Sequence, residues 1–389
     1  MLPKRIASVK DSPTLAVSAK AKQMVSRGID VVDFGAGQPD FDVPSHIKAA
    51  AKQAIDRPGS GKYTAAGGMP ELKLDIIKKF ERDNGLEYTM DQILVSPGAK
   101  FCVYAIIQAV VGDGDEVVMP SPYWVSYPEM VRMAGGQPVY AETLPKDGFL
   151  LKASAVEKVI TDRTKLIILN SPNNPTGAVY ERKELESVLE LASERKVLVM
   201  SDEIYEKLIY DGAKHESPAS FKPEYKNIVF TVNGMSKSHA VPGWRLGYVA
   251  GPVEYVKAAT RLQSHSTSNP SSIVQMAFHE KLHIESHLKG FREEFRKRRD
   301  FIHGRLNKMG FECEKPAGAF YVFPQLPDEP NGFSDSARFC ASLLEKAHVA
   351  CTPGSAFGME GFIRISYATS IGQIKKGLDR IEKFVAGSR

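Results

Sequence analysis

The chain has 389 residues, 43% of them hydrophobic and 25% charged, with a formal net charge of +5. That length supports two domains and a substantial core, and so mild a charge, with no concentrated basic run, argues against a nucleic-acid partner. No stretch approaches the roughly 20 apolar residues of a membrane span, and no apolar segment follows Met1-Leu2-Pro3-Lys4-Arg5, so a soluble, cytoplasmic protein is expected.

Taken in order, residues 10–28 read as a helix capped by Asp11 or Ser12, with Pro13 in its first turn. A short strand, 31–34, runs into Gly35-Ala36-Gly37-Gln38-Pro39-Asp40, a turn where backbone can approach a ligand. Helix 45–56, the glycine-rich loop 58–68 and helix 69–84 follow. From residue 93 strands at 93–95, 116–119, 137–141, 166–169, 197–200, 228–231 and 246–250 alternate with helices such as 101–111, 127–134 and 182–195. The nearly all-apolar run Leu166-Ile167-Ile168-Leu169 is what helices on both sheet faces demand. The alternation argues for an α/β fold with an open, mostly parallel sheet, whose binding sites collect at the carboxyl ends of the strands.

Residues 271–309 carry no strand signal and read as a long helical connector. Its basic segment, Phe295-Arg296-Lys297-Arg298-Arg299, is interleaved with acids and reads as a solvated helix face. A smaller α/β unit follows from residue 311, strand-like at 319–323 and 362–367, helical at 334–347 and 371–386. The expected organisation is a large domain, 46–290, a small domain, 291–389, and an N-terminal segment, 1–45, packed on the small one. The four cysteines, Cys102, Cys313, Cys340 and Cys351, lack metal-ligand spacing, so free thiols and no metal are expected.

Polar residues of interest stand after one strand upon another. Ser236-Lys237 and Arg245 occupy a small-residue loop between two strands. A lysine in a desolvated pocket loses its proton and attacks a carbonyl, and an arginine fork suits a phosphate. Taken alone, though, a Ser-Lys pair in a loop is usually solvated surface. Asp202, just past strand 197–200, is either a helix cap or a carboxylate that keeps a pyridine nitrogen protonated, with Tyr205 able to hydrogen-bond a ring oxygen. Asn174 lies in Ser171-Pro172-Asn173-Asn174-Pro175-Thr176-Gly177, a loop whose prolines are candidates for cis bonds. It is either a loop amide or a donor to a ring hydroxyl or a substrate carboxylate. Ser96-Pro97-Gly98-Ala99-Lys100 offers helix-start amides to an anion, without a Walker or GxGxxG pattern. Trp124 is either a core aromatic or a flat face for a cofactor ring.

Asn174-Pro175-Thr176-Gly177, Ser201-Asp202-Glu203-Ile204-Tyr205, Ser236-Lys237, Gly243-Trp244-Arg245-Leu246-Gly247-Tyr248 and Arg364-Ile365-Ser366-Tyr367 occur in that order across nearly the whole chain. With these motifs the chain resembles the fold-type I, pyridoxal-phosphate-dependent aminotransferases of class I/II. Gly35-Ala36-Gly37-Gln38-Pro39-Asp40-Phe41 and Ser121-Pro122-Tyr123-Trp124-Val125-Ser126-Tyr127 are similar to the bacterial aspartate aminotransferase branch, subgroup 1b, some members of which also transaminate prephenate.

The resemblance implies fold type I, a homodimer and pyridoxal 5'-phosphate as cofactor. It implies that Lys237 is the catalytic residue, which holds the cofactor covalently and shuttles a proton. Asp202 would pair with the ring nitrogen, Tyr205 and Asn174 would contact the ring O3', and Trp124 would stack on the ring beside the substrate. Ser236, Arg245 and the Gly98-Ala99 amides would hold the phosphate, and Tyr63 would reach the phosphate of the neighbouring subunit's cofactor. The α-carboxylate of the substrate falls to Arg364, with Asn174 and the Gly37 backbone. Its distal group falls to Lys100 and Lys10, because Gln263-Ser264-His265-Ser266-Thr267 carries no arginine; an exposed N-terminal lysine is the competing reading of Lys10. His239, where the branch often has an aromatic, reads as a neighbour that tunes pH dependence. The implied reaction moves an amino group between L-aspartate and 2-oxoglutarate by ping-pong kinetics, through pyridoxal and pyridoxamine forms. Aromatic, kynurenine-type or prephenate substrates are alternatives, as is a C–S lyase. A pyridoxal-binding regulator is disfavoured, because the pattern begins near residue 10 and leaves no room for a DNA-binding segment.

Overall fold

The computed structural model describes residues 4–11, 13–327 and 335–387; the expected Ser12 cap and the start of a helix at Ser334 lie outside them. Helices α1 (Lys4–Ala7) and α2 (Pro13–Ser26) lead to strand β1 (Val32–Asp33), and α3 (Ser45–Asp56) and α4 (Pro70–Asn84) precede the main sheet. That sheet is built from β2 (Ile93–Ser96), β3 (Glu116–Ser121), β4 (Gln137–Glu142), β5 (Thr164–Asn170), β6 (Leu198–Asp202), β7 (Val229–Gly234) and β8 (Gly247–Ala250). The strands lie in the order β2-β8-β7-β6-β5-β3-β4. Only β8 runs against its neighbours, β2 and β7; the other pairings are parallel.

Helices α5 (Ala99–Val110), α6 (Ser126–Met133), α7 (Ala153–Glu157), α8 (Arg182–Glu194) and α10 (Val253–Ser264) fall between or after the strands, and α9 (Met235–Ser238) is a single turn following β7. Successive β5 residues serve opposite faces. Ile167 and Leu169 pack with Leu185, Val188 and Leu189 of α8 and Leu72, Ile76 and Phe80 of α4. Leu166 and Ile168 pack with Val103, Ile106 and Ile107 of α5. Side chains alternate along a strand, so a strand covered on both faces must be apolar at every position.

The chain continues through α11 (Ser272–Phe278), α12 (Ser286–Lys308), β9 (Tyr321–Val322), α13 (Ser336–Ala347), β10 (Val349–Ala350), β11 (Thr352–Pro353), β12 (Ile363–Ser366) and α14 (Ile371–Gly387). The expected connector is therefore two helices. Asp75 on α4 divides them: its Oδ2 accepts the Glu280 N–H at 2.8 Å and meets His279 Nδ1 at 2.7 Å, taking the backbone out of helical bonding. The basic segment on α12 is a solvated face only at Arg296 and Lys297, which are exposed. Phe295, Arg298 and Arg299 are buried, with Arg298 on Asp40 at 2.7 Å and Arg299 on Asp211 at 2.7 Å and the Pro316 carbonyl at 3.0 Å. Buried guanidinium groups persist because each has both a carboxylate and a ring or carbonyl to satisfy it.

Strands β9, β12 and β11 form an antiparallel sheet, and β1 pairs in parallel with β10. Val32 and Phe34 thus join one core cluster with Ile363, Ile365, Leu343, Leu378 and Ile381. Gly377 of α14 makes that approach possible: a Cβ there would stand 2.4 Å from Phe34 Cζ and 2.9 Å from Val32 Cγ1. Gly377→Ala should lower the urea midpoint, because overpacking costs about 1–3 kcal/mol against a helix-propensity gain of about 1 kcal/mol. A raised midpoint would contradict this packing.

Candidate active site

Strand register gathers chemistry at one sheet edge. Asn170 lies opposite Asp202, and Gly247 opposite both Ser96 and Gly234. Four parallel strands end there, and the antiparallel β8 begins there, which delivers Arg245 to the same place. A cavity of about 470 Å³ opens on this edge. Of the residues singled out from sequence, Gly37, Ala99, Lys100, Trp124, Asn174, Asp202, Tyr205, Ser236, Lys237, Arg245 and Arg364 line it.

Lys237, on the single turn of α9, reaches across to the Gly37 carbonyl, 2.5 Å from its Nζ. Desolvation in the cavity, reinforced by the Arg364 and Arg245 charges, brings its pKa down to about 8. An appreciable fraction is then the free amine near neutrality. Asp202 is buried at the end of β6. Tyr127 donates its hydroxyl to Oδ2 at 2.6 Å and Ile204 its N–H to Oδ1 at 3.2 Å. Burial pushes the Asp202 carboxyl up to about 6, and these two hydrogen bonds hold it from rising further. Its partners are a phenol and an amide, not a cation, so a cationic ligand atom would restore its charge.

Arg364, on β12, is 3% exposed. Its Nη1 donates to Asn174 Oδ1 at 3.0 Å and its Nη2 to the Gly35 carbonyl at 2.9 Å. The guanidinium lies 4.5 Å from the Tyr321 ring and 5.0 Å from that of Phe357. Its Nε is buried without a partner, and desolvation weakens its hold on its proton. A buried guanidinium held by neutral groups is a receptor for a carboxylate.

A second anion corner forms at the start of α5. Gly98 turns the chain into the helix with φ +88° and packs against the Arg245 guanidinium. Arg245 is fixed by the Pro242 and Pro97 carbonyls at 2.6 and 3.3 Å, with Ser236 and Ala99 also on the cavity wall. Helix-start amides, a hydroxyl and a guanidinium together suit a phosphate. Gly247 makes the corner possible, since a Cβ there would stand 2.2 Å from the Ala99 nitrogen. Lys100 Nζ lies 4.9 Å from the Trp124 ring centroid; burial and the Arg245 charge lower its pKa.

Gly98, Tyr63 and Lys10, all expected in the site, are not on the cavity wall. Tyr63 is 88% exposed, and Lys10 is exposed with its backbone N–H on Glu129 Oε2 at 2.9 Å. Ser171–Pro172 is cis, but Asn174–Pro175 is not, and Ser121–Pro122 is cis where none was anticipated. His239 is buried against His287, 4.9 Å between ring centroids. Burial and that neighbour take its pKa down to about 3, so it stays neutral through the physiological range and supplies no titration there.

Sequence reasoning missed Tyr127, Tyr321 and Asn170. Tyr321 meets Tyr205 hydroxyl to hydroxyl at 2.9 Å. Asn170 accepts the Asn174 N–H at 2.9 Å and donates to the Asp202 carbonyl at 2.9 Å. Tyr127 carried no local signal, because its partner lies 75 residues away. Thr14, Ser18 and Lys22 of α2 also line the cavity; their four-residue spacing is a helical stripe that could have been noticed.

Lys237 should be acylated by an amine-selective reagent with a midpoint near pH 8, about two units below an ordinary lysine. Reactivity rises with pH because the neutral amine is the nucleophile. Peptide mass spectrometry across a pH series checks this, and a midpoint near 10 would remove the desolvation account.

A model of the family described as aminotransferase class I and II matches residues 29–381. The chain is similar to the aspartate aminotransferase of Bacillus sp. (strain YM-2), 46% identical over 389 residues and 99% of each chain. It is similar also to the aspartate/prephenate aminotransferase of Cereibacter sphaeroides, 46% identical over 392 residues and 98% of each chain. Among solved structures, the aspartate aminotransferase of Thermus thermophilus with maleate superposes with a TM-score of 0.93 at 43% identity, over 98% of this chain and 99% of that one. That of Rhizobium meliloti gives 0.94 at 43%, over 99% of each.

Proposed function

The chain belongs to the class I and II aminotransferases, and from that premise we propose that it exchanges an amino group between L-aspartate and 2-oxoglutarate, as a cytoplasmic homodimer. It is a fold-type I transaminase dependent on pyridoxal phosphate. Among the described residues no helix is long and apolar enough to cross a membrane.

The residues of the cavity fit that cofactor. A phosphate matches the α5 start with Ser236 and Arg245, and a protonated ring nitrogen is the cation that the raised Asp202 carboxyl lacks. Bound there, pyridoxal phosphate supplies an aldehyde carbon that takes up the amine and a ring that accepts negative charge from the substrate α-carbon. Lys237 would hold the aldehyde end through its Nζ and carry the proton to and from the α-carbon. Asp202, oriented by Tyr127 and Ile204, would keep the ring nitrogen protonated. Tyr205 and Asn174 would contact the ring oxygen, and Trp124 would cover the ring face. Arg364 would grip the α-carboxylate as a fork, with Asn174 and the Gly37 backbone beside it. Tyr63, exposed in the single chain, would be covered by a second copy and reach its phosphate. Lys10 would join the distal carboxylate's site when that segment folds over the substrate.

The observation that carries the aspartate reading is Lys100. It places an ammonium on the cavity wall beside Trp124, where a second substrate carboxylate can meet it. The relative named for both aspartate and prephenate favours a second reading, in which the same lysine meets a carboxylate of prephenate.

Single L-amino acids mixed with the holoenzyme, without an oxo acid, should bleach the visible band of the lysine-bound cofactor fast for aspartate and glutamate and slowly for aromatics. Conversion by aromatics alone would replace the acidic-substrate reading. Lys100→Ala should cost aspartate about tenfold in kcat/KM while sparing aromatic substrates; equal losses for both would remove its assigned role. Lys237→Ala should abolish the band and turnover. Arg364→Ala should raise the amino-acid KM on the order of a hundredfold and leave cofactor affinity near wild type; loss of cofactor would mean that Arg364 serves the other anion.

A further inference from the structure

Under the Arg364 clamp stands a carboxylate to which transamination gives no task. Asp33 ends β1, half-buried on the cavity wall. Its Oδ1 accepts the Gly35 N–H at 2.8 Å, the two-residue reach of an Asx turn. Gly35 in turn offers its carbonyl to Arg364 Nη2 at 2.9 Å. Gly37, two residues on, offers its carbonyl to Lys237 Nζ at 2.5 Å. One backbone turn, pinned by Asp33, therefore carries both cations. Asp33 also lies in the electrostatic field of Arg364, yet the guanidinium bonds to Asn174 and Gly35 instead and keeps its Nε without a partner. Lys22 of α2 lines the same cavity, and its charge also acts on Asp33.

We propose that Asp33 is a positioning residue that sets how tightly Arg364 holds a carboxylate: it fixes the clamp through the Gly35 turn, and its charge offsets part of the guanidinium's pull, with Lys22 moderating that offset. The inference rests on reading Arg364 as the α-carboxylate clamp. A ping-pong transaminase must release a carboxylate product from the same clamp in each half-reaction, an oxo acid in one and an amino acid in the other, so a clamp at full strength would bind substrate and product alike without gain in rate. An intervening carboxylate lets a desolvated arginine remain both selective and reversible.

The charged groups facing Asp33 are Lys22 on α2 and Arg364 on β12. Burial raises the Asp33 carboxyl above its ordinary range, against the Gly35 N–H and these two cations. As pH falls through that raised value the offset disappears, so carboxylate affinity should rise.

The test is equilibrium titration of the holoenzyme with maleate, a non-reacting dicarboxylate, across mildly acid to neutral pH, together with KM and kcat for aspartate. Asp33→Asn keeps the turn acceptor and removes the charge. It should tighten maleate about three- to tenfold, lower KM more than kcat, and flatten the acid-side rise in affinity. Lys22→Met should weaken maleate. Asp33→Ala loses the turn as well and should bind maleate more weakly than Asp33→Asn, with a reduced kcat. Wild-type affinity and pH profile in Asp33→Asn would overturn the proposal, as would identical behaviour of the Asn and Ala variants. If Arg364→Ala bound maleate as wild type does, the clamp reading itself would fail; if it lost binding while Asp33→Asn changed nothing, only the role of Asp33 would fall.

Discussion

The cavity keeps Lys237, Arg364 and Asp202 out of water without letting them neutralise one another, and the surrounding structure sustains that condition. Neutral dipoles hold each group: the Gly37 carbonyl for Lys237, the Gly35 carbonyl and Asn174 for Arg364, the Tyr127 hydroxyl for Asp202. A neutral partner relieves the hydrogen-bonding cost of burial but leaves the charge able to attract a ligand. Direct pairing of Lys237 with Asp202 would restore an ordinary ammonium and an ordinary carboxylate, and the amine at pKa about 8 would be lost.

Backbone geometry produces this separation. In the main sheet, the reversal of β8 brings Arg245 to the edge where parallel strands end, and Gly247 lets that strand lie against the α5 amides. From the other side, the chain after β1 lays two carbonyls across the cavity. Gly35 serves a guanidinium on β12, whose Ile363 and Ile365 share a core cluster with Val32 and Phe34. Gly37 serves Lys237, whose neighbour Met235 belongs to the cluster beneath the main sheet. Arg364 is thus held within one core, and Lys237 is met from the other.

Much of this was legible in the residues. The central strand β5 announces itself as an unbroken Leu and Ile run because both faces are covered. Asp202, Lys237, Arg245 and Arg364 stand in motifs of a recognisable order, and family membership follows from that order. Tyr127 and Tyr321 were not legible, since a tyrosine that bonds a group 75 or 116 residues away looks like any core aromatic. The α12 basic segment misled for a related reason. Charge pattern along a helix describes its neighbours in sequence, whereas Arg298 and Arg299 answer to Asp40 and Asp211, far off in the chain.

The sequence by itself determined the α/β fold, the family and the cofactor class, because these depend on local periodicity and on motifs whose order survives without coordinates. Only the tertiary structure decided which charges share a field. It put Asp33 and Lys22 on the same cavity wall as Arg364, left Lys10 and Tyr63 outside that wall, and made His239 a neutral core group. Protonation and ligand affinity depend on distance and desolvation, and neither quantity is written along the chain.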